Sequence, residues 1–410
     1  MRVLYVNHTA AVGGGERSLL ELIGGLPEDI TPLAACPEGP LADRLRAARV
    51  ETHAIPALDG SLKMHPLYTP QTLVGIGRAI RSVARIARTT EADLLHGNSI
   101  RAALIAGMAG RRVGRPAVGH VRDCLPPGRV SRLALRGVER SCATVIANSR
   151  YTAARIPSSE RPSVVVHNPI DLRRFDPAVV DRDAVRSALG AGERELLLGV
   201  VAQITPWKAQ DDAVRILHHL RSEGVNGRLL LVGSPKFVSR ATRFDNLDFV
   251  ARLRELVSEL GLHRHVDFLG EREDVPAVLR ALDLLLLPSW EEPFGRAVIE
   301  AMAMETPVAA TAVGGPAEII ADGREGLLLP PRDPEAWAAA LAPLLANPEQ
   351  RARMGRSGRE RAVAAFGVDA HVARIEAVYA SATRPVAAPT SPRPRGPRAS
   401  TRAGSGQRAA

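Results

Sequence analysis

The chain has 410 residues, of which 45% are hydrophobic and 24% charged, proportions typical of a globular protein with two or slightly more domains. Aromatic residues make up only 3%, which argues against a stacking surface for single-stranded nucleic acid. The formal net charge is +10, but residues 384–410 carry six arginines and no acidic residue, so the remainder is only mildly basic.

The chain ends and the cysteines indicate the cellular compartment of the protein and the kind of membrane contact that it can make. The Pro-, Ala-, Ser- and Arg-rich segment 384–410 cannot bury a core, and we expect a disordered basic tail. The three cysteines are scattered, which favours a reducing, cytoplasmic setting. The apolar run near the N-terminus is too short for a signal peptide, and no stretch reaches the roughly 18 apolar residues of a membrane span. Any membrane contact is therefore expected to be peripheral, at the inner face of the plasma membrane.

Strands and helices alternate along the first part of the chain. Residues 2–8, "RVLYVNH", form an apolar run that predicts a strand, and "GGGERSLLELIGGL" follows as a glycine turn and an amphipathic helix. Residues 92–110, 117–123 and 142–156 repeat this pattern. Such alternation predicts a parallel sheet covered by helices on both faces.

The pattern restarts at residues 194–205, after the polar, turn-rich segment 176–193, which we interpret as a hinge. We therefore predict an α/β protein with two Rossmann-like domains that face each other across a cleft. The predicted boundaries are 1–185 and 186–365, and a helix at about 366–382 is expected to return to the first domain. Ligands of such sheets bind outside the carboxyl ends of the strands.

Two loops after predicted strands could meet an anion. In "VGGGERSLL", Gly13, Gly14 and Gly15 allow backbone N–H groups to approach a phosphate at a helix N-terminus, although a plain tight turn fits equally well. In "VVAQITPWKAQDD", Lys208 lies between a strand and a helix, where it can meet a phosphate or simply be solvated.

The segment "LLLLPSWEEPFGRAVIEAMAMETPVAAT" reads as strand, loop, helix and strand. Glu292 falls on the loop, Glu300 lies inside the helix, and the amides near Phe294, Gly295 and Arg296 are expected to be unpaired at the helix start. A carboxylate can accept from two hydroxyls, which suits a sugar diol. Helix capping and surface ion pairs are the structural alternative, and a glycosidase acid/base pair is the rival chemistry.

With these pieces in order, the chain resembles the family-four retaining glycosyltransferases, whose fold is called GT-B. The resemblance extends over roughly residues 3 to 380 and is most specific in "EEPFGRAVIE", "TPWKAQDDAVRIL" and "GGPAEII". It implies transfer of a sugar from a UDP- or GDP-linked donor to a glycan or lipid-linked acceptor in cell-envelope polysaccharide synthesis. It implies no metal, no other cofactor and no nucleic acid partner.

The resemblance also implies roles for individual residues. Glu292 would bind hydroxyls of the donor sugar, and Glu300 would hold the ribose. Lys208, the Gly13–Gly15 loop and the amides at Phe294 and Gly295 would meet the diphosphate. His120 would lie near the reactive end of the sugar, and a histidine merely satisfied at a strand end is its alternative. Glu318 would line the same pocket.

One departure concerns phosphate binding. Gln203 stands where the family usually has an arginine, and Arg296 is the expected substitute. The "DRD" at residues 181–183 matches a metal motif of the other glycosyltransferase fold, but its position before a helix favours capping. Another GT-B enzyme, such as an epimerase or phosphorylase, and a non-catalytic sugar-nucleotide-binding protein remain the alternative functions.

The helix predicted at residues 75–88 alternates arginines with apolar residues. It could lie on an anionic membrane while the enzyme acts on a lipid-linked acceptor. The alternative is a helix packed on the sheet with a solvated basic face.

Overall fold

A computed structural model of the protein describes residues 1–58, 69–157, 163–236 and 244–384. The predicted tail lies outside these residues from position 385 onward. The described strands form two separate, entirely parallel sheets of seven and six strands.

The first sheet has the strand order β3-β2-β1-β4-β5-β6-β7. Its strands are short and rich in Val, Leu, Ile and Ala, as expected for strands buried on both faces. They are β1 (Arg2–Val6), β2 (Thr31–Cys36), β3 (Glu51–Ala54), β4 (Leu94–Gly97), β5 (Ala117–Val121), β6 (Thr144–Ala147) and β7 (Val164–Val165).

Helices cover both faces of this sheet. They are α1 (Gly14–Gly24), α2 (Pro40–Ala47), α3 (Thr69–Thr89), α4 (Ile100–Val113), α5 (Arg129–Ser141) and α6 (Arg150–Ala153). Apolar residues of α3, α4 and α5 share one core with one face of the sheet, and those of α1 and α2 share another core with the opposite face.

The second sheet has the strand order β10-β9-β8-β11-β12-β13. Its strands are β8 (Leu196–Val201), β9 (Gly227–Val232), β10 (Val266–Gly270), β11 (Leu284–Leu287), β12 (Val308–Thr311) and β13 (Leu327–Leu329). The helices of this part are α7 (Arg182–Ala188), α8 (Gln210–Ser222), α9 (Asn246–Glu259), α10 (Val275–Ala281), α11 (Arg296–Ala303), α12 (Pro316–Ile319), α13 (Pro334–Ala346) and α14 (Pro348–Phe366).

The last described helix, α15 (Val368–Thr383), crosses back to the first sheet. Its Val372, Ile375 and Tyr379 are buried in the same core as α1 and α2. The predicted α/β fold class, with two parallel sheets and a returning C-terminal helix, is confirmed.

Two smaller expectations can also be compared with the structure. Asp181 of the "DRD" caps α7, since its Oδ1 accepts from the backbone N–H groups of Asp183 and Ala184 at 3.1 and 3.0 Å. Among the described residues, no helix combines the length and the apolar character that a membrane crossing requires.

Candidate active site

Lys208 and Glu292 form a buried ion pair on the second domain. Lys208 ends a short 3₁₀ turn after β8, where its Nζ lies 4.0 Å from the centre of the Trp207 ring and donates to Oε2 of Glu292. The same oxygen accepts from Ser289 Oγ at 3.2 Å. The loop from β11 holds Glu292 in place, because its carbonyl accepts from the N–H of Gly315 at 2.8 Å. The two residues predicted to meet phosphate and sugar are therefore brought together.

Helix α11 begins at Arg296, a short distance after Glu292 in the chain. Gly295 precedes the helix with a φ of +98°, a conformation that strongly favours glycine. Phe294 is buried, and its ring centre lies 5.7 Å from that of His167 and 6.1 Å from that of Phe366. Among the described residues, the N–H groups of Phe294, Gly295 and Arg296 have no acceptor. These unpaired N–H groups carry the partial positive charge of the helix N-terminus and can bind an anion.

Arg296 does not serve as the expected substitute for the missing phosphate-binding arginine. Its guanidinium makes two parallel bonds to Glu21 of α1, at 2.7 and 2.8 Å. It also donates to Oε1 of Glu300 at 2.9 and 3.1 Å. The reason is that the side chain is buried between two carboxylates. Its guanidinium N–H groups already donate to protein acceptors and are not available to a phosphate.

Glu300 lies inside α11, where it is buried. Both bonds from Arg296 reach Oε1, and Oε2 has no partner within the described part of the chain. One acceptor oxygen of Glu300 is thus fixed and the other remains available to a hydroxyl.

The glycine loop of the first domain lies against the second domain. A Cβ built on Gly14 would lie 3.4 Å from Arg296 Cδ, and one built on Gly15 would lie 3.1 Å from Arg122 Cδ. The N–H of Gly13 already donates to Oε2 of Glu16 at 3.0 Å. The N–H groups of Gly14 and Gly15, by contrast, find no acceptor in the residues that the structure describes.

His120, which was predicted to lie near the reactive end of the sugar, is 0% exposed in this structure. It lies within β5, with its ring centre 5.6 Å from that of His96, and neither ring nitrogen has a partner among the described residues. Burial lowers the pKa of His120 well below its usual value.

Arg122 lies two residues beyond His120, near the glycine loop. It follows β5 directly, two residues on, and such residues point to the same face of a strand. Its Nε donates to Asn98 Oδ1 at 2.9 Å, and NH1 donates to Asn168 Oδ1. Burial lowers the pKa of Arg122 to about 10, which still leaves it charged.

Asp123 comes next in the chain and is exposed. The Glu292 carboxylate of the other domain acts on the Asp123 carboxyl as a like charge, and the Arg122 guanidinium acts on it as an opposite charge.

Glu318, which was predicted to line the sugar pocket, joins the two domains in this structure. Its carboxylate accepts from the N–H groups of Arg150 and Tyr151 at 2.9 and 2.8 Å, at the start of α6. His167 Nε2 lies 3.2 Å from the same carboxylate. Nearby, Ser149 Oγ donates to the carbonyl of Pro293 at 2.6 Å. These bonds hold the Glu292 loop against the first domain.

Two facing parallel sheets, a lysine–glutamate pair and an open helix start in the cleft define a nucleotide-sugar type of transferase fold. Comparisons with known proteins agree. The pattern of the family "Glycosyl transferases group 1" matches residues 181–361, and that of "Glycosyltransferase Family 4" matches residues 12–174. The chain belongs to the family-4 glycosyltransferases and is a glycosyltransferase.

Two relatives share the name D-inositol 3-phosphate glycosyltransferase. The protein of Salinispora arenicola is 31% identical over 317 residues, which cover 71% of this chain and 69% of that protein. The protein of Mycobacteroides abscessus is 39% identical over 183 residues, which cover 44% of this chain and 38% of that protein.

Solved structures share the fold at lower identity. Anabaena HepE, determined in complex with UDP and glucose, aligns with a TM-score of 0.79 and 24% identity over 93% of this chain and all of that one. Sucrose-phosphate synthase from Thermosynechococcus elongatus aligns with a TM-score of 0.75 and 21% identity, covering 92% and 98%.

Proposed function

We propose that this protein transfers a sugar from a UDP- or GDP-linked donor to a glycan or lipid-linked acceptor, with retention at the anomeric carbon and without a metal. The observation that carries the proposal is the Lys208–Glu292 pair beside the unpaired N–H groups of Phe294 and Gly295. It places a cation and a helix N-terminus next to a hydroxyl-binding carboxylate. The name of the HepE complex and the names of the inositol-phosphate relatives support a nucleotide donor and a hydroxyl acceptor.

The residues take the following proposed roles. Lys208, the start of α11 and the N–H groups of Gly14 and Gly15 neutralise the diphosphate, Glu292 accepts from sugar hydroxyls, and Glu300 accepts from the ribose. Arg122 takes the place near the reacting sugar that was expected of His120. Because these groups supply positive charge where the leaving group develops negative charge, we assign neither a metal nor another cofactor to the reaction.

The reaction needs no side-chain nucleophile. The bond between the anomeric carbon and the donor phosphate oxygen breaks, and the acceptor oxygen bonds to that carbon on the same face. The acceptor proton passes to the departing phosphate oxygen.

A nucleotide-release screen tests the proposal. The protein would meet UDP-, GDP- and ADP-sugars, with and without an extract of bacterial lipids and glycans, in the presence and absence of EDTA. We expect one nucleotide to be released only with extract, equally with EDTA, and a product whose anomeric configuration matches the donor. Loss of release in EDTA that Mg²⁺ or Mn²⁺ restores would contradict the metal-free route. Donor conversion without extract would favour an epimerase, and binding without turnover would favour a binding protein.

The first domain also carries a basic face, which we propose contacts an anionic membrane surface. The structure confirms that α3 packs on the sheet, with Ala79, Ile80 and Val83 buried. Its arginines are exposed. Helix α4 lies between α3 and α5, and α5 adds exposed arginines around Leu133, which is 71% exposed. The exposed arginines of these two helices are Arg78, Arg81, Arg85, Arg88, Arg129, Arg132, Arg136 and Arg140.

Sedimentation with lipid vesicles checks this contact. We expect binding to phosphatidylcholine vesicles that contain phosphatidylglycerol, no binding to phosphatidylcholine alone, and release by salt. Replacing Arg81, Arg85 and Arg136 by glutamine should lower the partition coefficient about 100-fold, since each cation near the surface contributes about 1 kcal/mol. The matched control removes three exposed arginines from the second domain. These are Arg252, Arg353 and Arg356. Equal loss in both variants would contradict a specific face.

A further inference from the structure

We propose that Glu21 of the first domain, acting through Arg296, positions Glu300 for the donor ribose, so that nucleotide recognition depends on contact between the domains. The inference rests on the proposed function, which gives Glu300 its ribose. It concerns two positioning residues that lie 275 positions apart in the chain.

The guanidinium of Arg296 is fully used. NH1 donates to Glu21 Oε2 at 2.7 Å, to Ser18 Oγ at 2.9 Å and to the carbonyl of Pro169 at 3.1 Å. NH2 donates to Glu21 Oε1 at 2.8 Å and to Glu300 Oε1 at 2.9 Å, and Nε donates to Glu300 at 3.1 Å. Because every N–H group of the planar fork has an acceptor, the orientation of the fork is fixed.

The contact is closed to solvent. The side chains of Arg296, Glu21 and Glu300 are 9%, 14% and 6% exposed. Burial raises the pKa of Glu21, and the Arg296 charge opposes this shift. A buried ion pair is favourable only when its hydrogen-bond geometry is good. Removal of one carboxylate therefore leaves part of the buried arginine charge without a partner. Separation of the domains would take Glu21 away and free one edge of the fork.

The consequence falls on Glu300. Its Oε1 is held by two N–H groups of Arg296, and that fixes the direction in which the open Oε2 points. The Glu300 side chain therefore already has the rotamer that accepts from a nucleotide hydroxyl. This lowers the conformational entropy that is lost when the nucleotide binds. Without Glu21, Arg296 can turn with Glu300 and this preorganisation is lost.

The glycine loop takes part in the same arrangement. The stem of Arg296 packs on Gly14, where even a Cβ would lie 3.4 Å from Cδ. Gly14 also opens α1, the helix that carries Ser18 and Glu21. The loop proposed to meet the diphosphate and the contact proposed to orient the ribose carboxylate thus move as one unit.

A second ion pair between the domains provides the matched control. Arg155, just beyond α6, bonds to Glu291 at 2.8 Å, but both side chains are 39% exposed. An exposed pair of this kind contributes little. Removing this pair shows how far the loss of any one Arg–Glu contact between the domains changes nucleotide binding.

The test measures ribose discrimination. Calorimetry would compare UDP or GDP, whichever the release screen selects, with its 2′-deoxy and 3′-deoxy forms. We expect the wild-type protein to prefer the full ribose over at least one deoxy form by about tenfold or more, the effect of one hydrogen bond to a charged group. Glu21→Gln should reduce this preference to about twofold, and Arg155→Gln should leave it unchanged. In a Glu300→Gln background, Glu21→Gln should have no further effect on the ratio.

The outcomes separate this inference from the proposed function. If folded Glu21→Gln protein discriminates as the wild type does, the inference is overturned while the function stands. If additive effects of Glu21→Gln and Glu300→Gln are found, the two residues act independently and the inference also falls. If the wild-type protein binds neither nucleotide, or binds the deoxy forms equally well, the ribose role of Glu300 itself is wrong.

Discussion

Replacing Lys208 with methionine is expected to lower the turnover of sugar transfer by about 10²–10³-fold, the usual effect of removing one charge-stabilising donor from a preorganised site. Lys208 supplies a buried positive charge beside the start of α11, where the diphosphate is proposed to leave. Methionine keeps the length of the side chain and its packing on Trp207, but it cannot donate. Steady-state kinetics with the donor named by the release screen would measure the change.

Two further variants show whether the effect comes from charge at the phosphate. Lys208→Arg keeps the charge but changes its shape, so we expect partial activity. Glu292→Gln should lower turnover while leaving the affinity for the free nucleotide near that of the wild type, because Glu292 is assigned to the sugar. Lys208→Met should lower both. Full turnover in folded Lys208→Met protein, as judged by circular dichroism, would remove Lys208 from the site.

Sequence reasoning predicted the fold and the order of the loops because these depend on local signals. Strands such as β1 and β11 are short apolar runs, and glycine or proline marks most of the turns that follow the strands. The Lys208–Glu292 pairing was within reach, since both residues follow strands of the same parallel sheet and therefore meet at its carboxyl edge.

The residues whose contacts were not foreseen share one cause, which is that their partners are distant in sequence. Arg296 reads as a free cation until Glu21 of α1 is found beside it. Glu318 reads as a pocket carboxylate until the start of α6 is placed against it. His120 reads as an accessible strand-end residue until α15 is found to cover its side of the sheet. Contacts between domains leave no periodic or local signature, so the sequence could not place them.

Acidification is expected to unfold the first domain well before its surface carboxylates lose their charge. Three histidines lie buried between the first sheet and α15: His96, His120 and His371. His96 Nδ1 lies 2.6 Å from the hydroxyl of Tyr379, and His371 Nδ1 lies 2.7 Å from the carbonyl of His167. Burial, with Arg122 as the nearest cation, lowers the pKa of His96 and His371 to about 3 and that of His120 well below its usual value.

The sign of the effect follows from proton binding. Between about pH 6.5 and 3 the unfolded chain binds protons at these histidines and the folded chain does not, so the free energy of unfolding falls as the pH falls. Each buried histidine contributes up to about 1.4 kcal/mol per pH unit, so three contribute up to about 4. Burial raises the pKa values of Glu16 and Glu21, which makes the folded state bind protons earlier and opposes part of this loss.

Substitution of His120 separates its contribution to the pH dependence of stability from that of the carboxyl groups. It also tests whether His120 takes part in sugar transfer. Urea unfolding at a series of pH values should give a His120→Leu variant whose stability depends on pH less steeply than the wild type, by up to about 1.4 kcal/mol per pH unit. The exposed His263, replaced by leucine, should leave the slope unchanged, because it is solvated in both states.

At neutral pH, His120→Leu should keep sugar transfer within about fivefold of wild type, since a leucine of similar size fills the same buried site. An unchanged slope would mean that His120 is protonated in the folded protein. A folded variant that has lost transfer would instead return His120 to the chemistry, with Arg122 as its support.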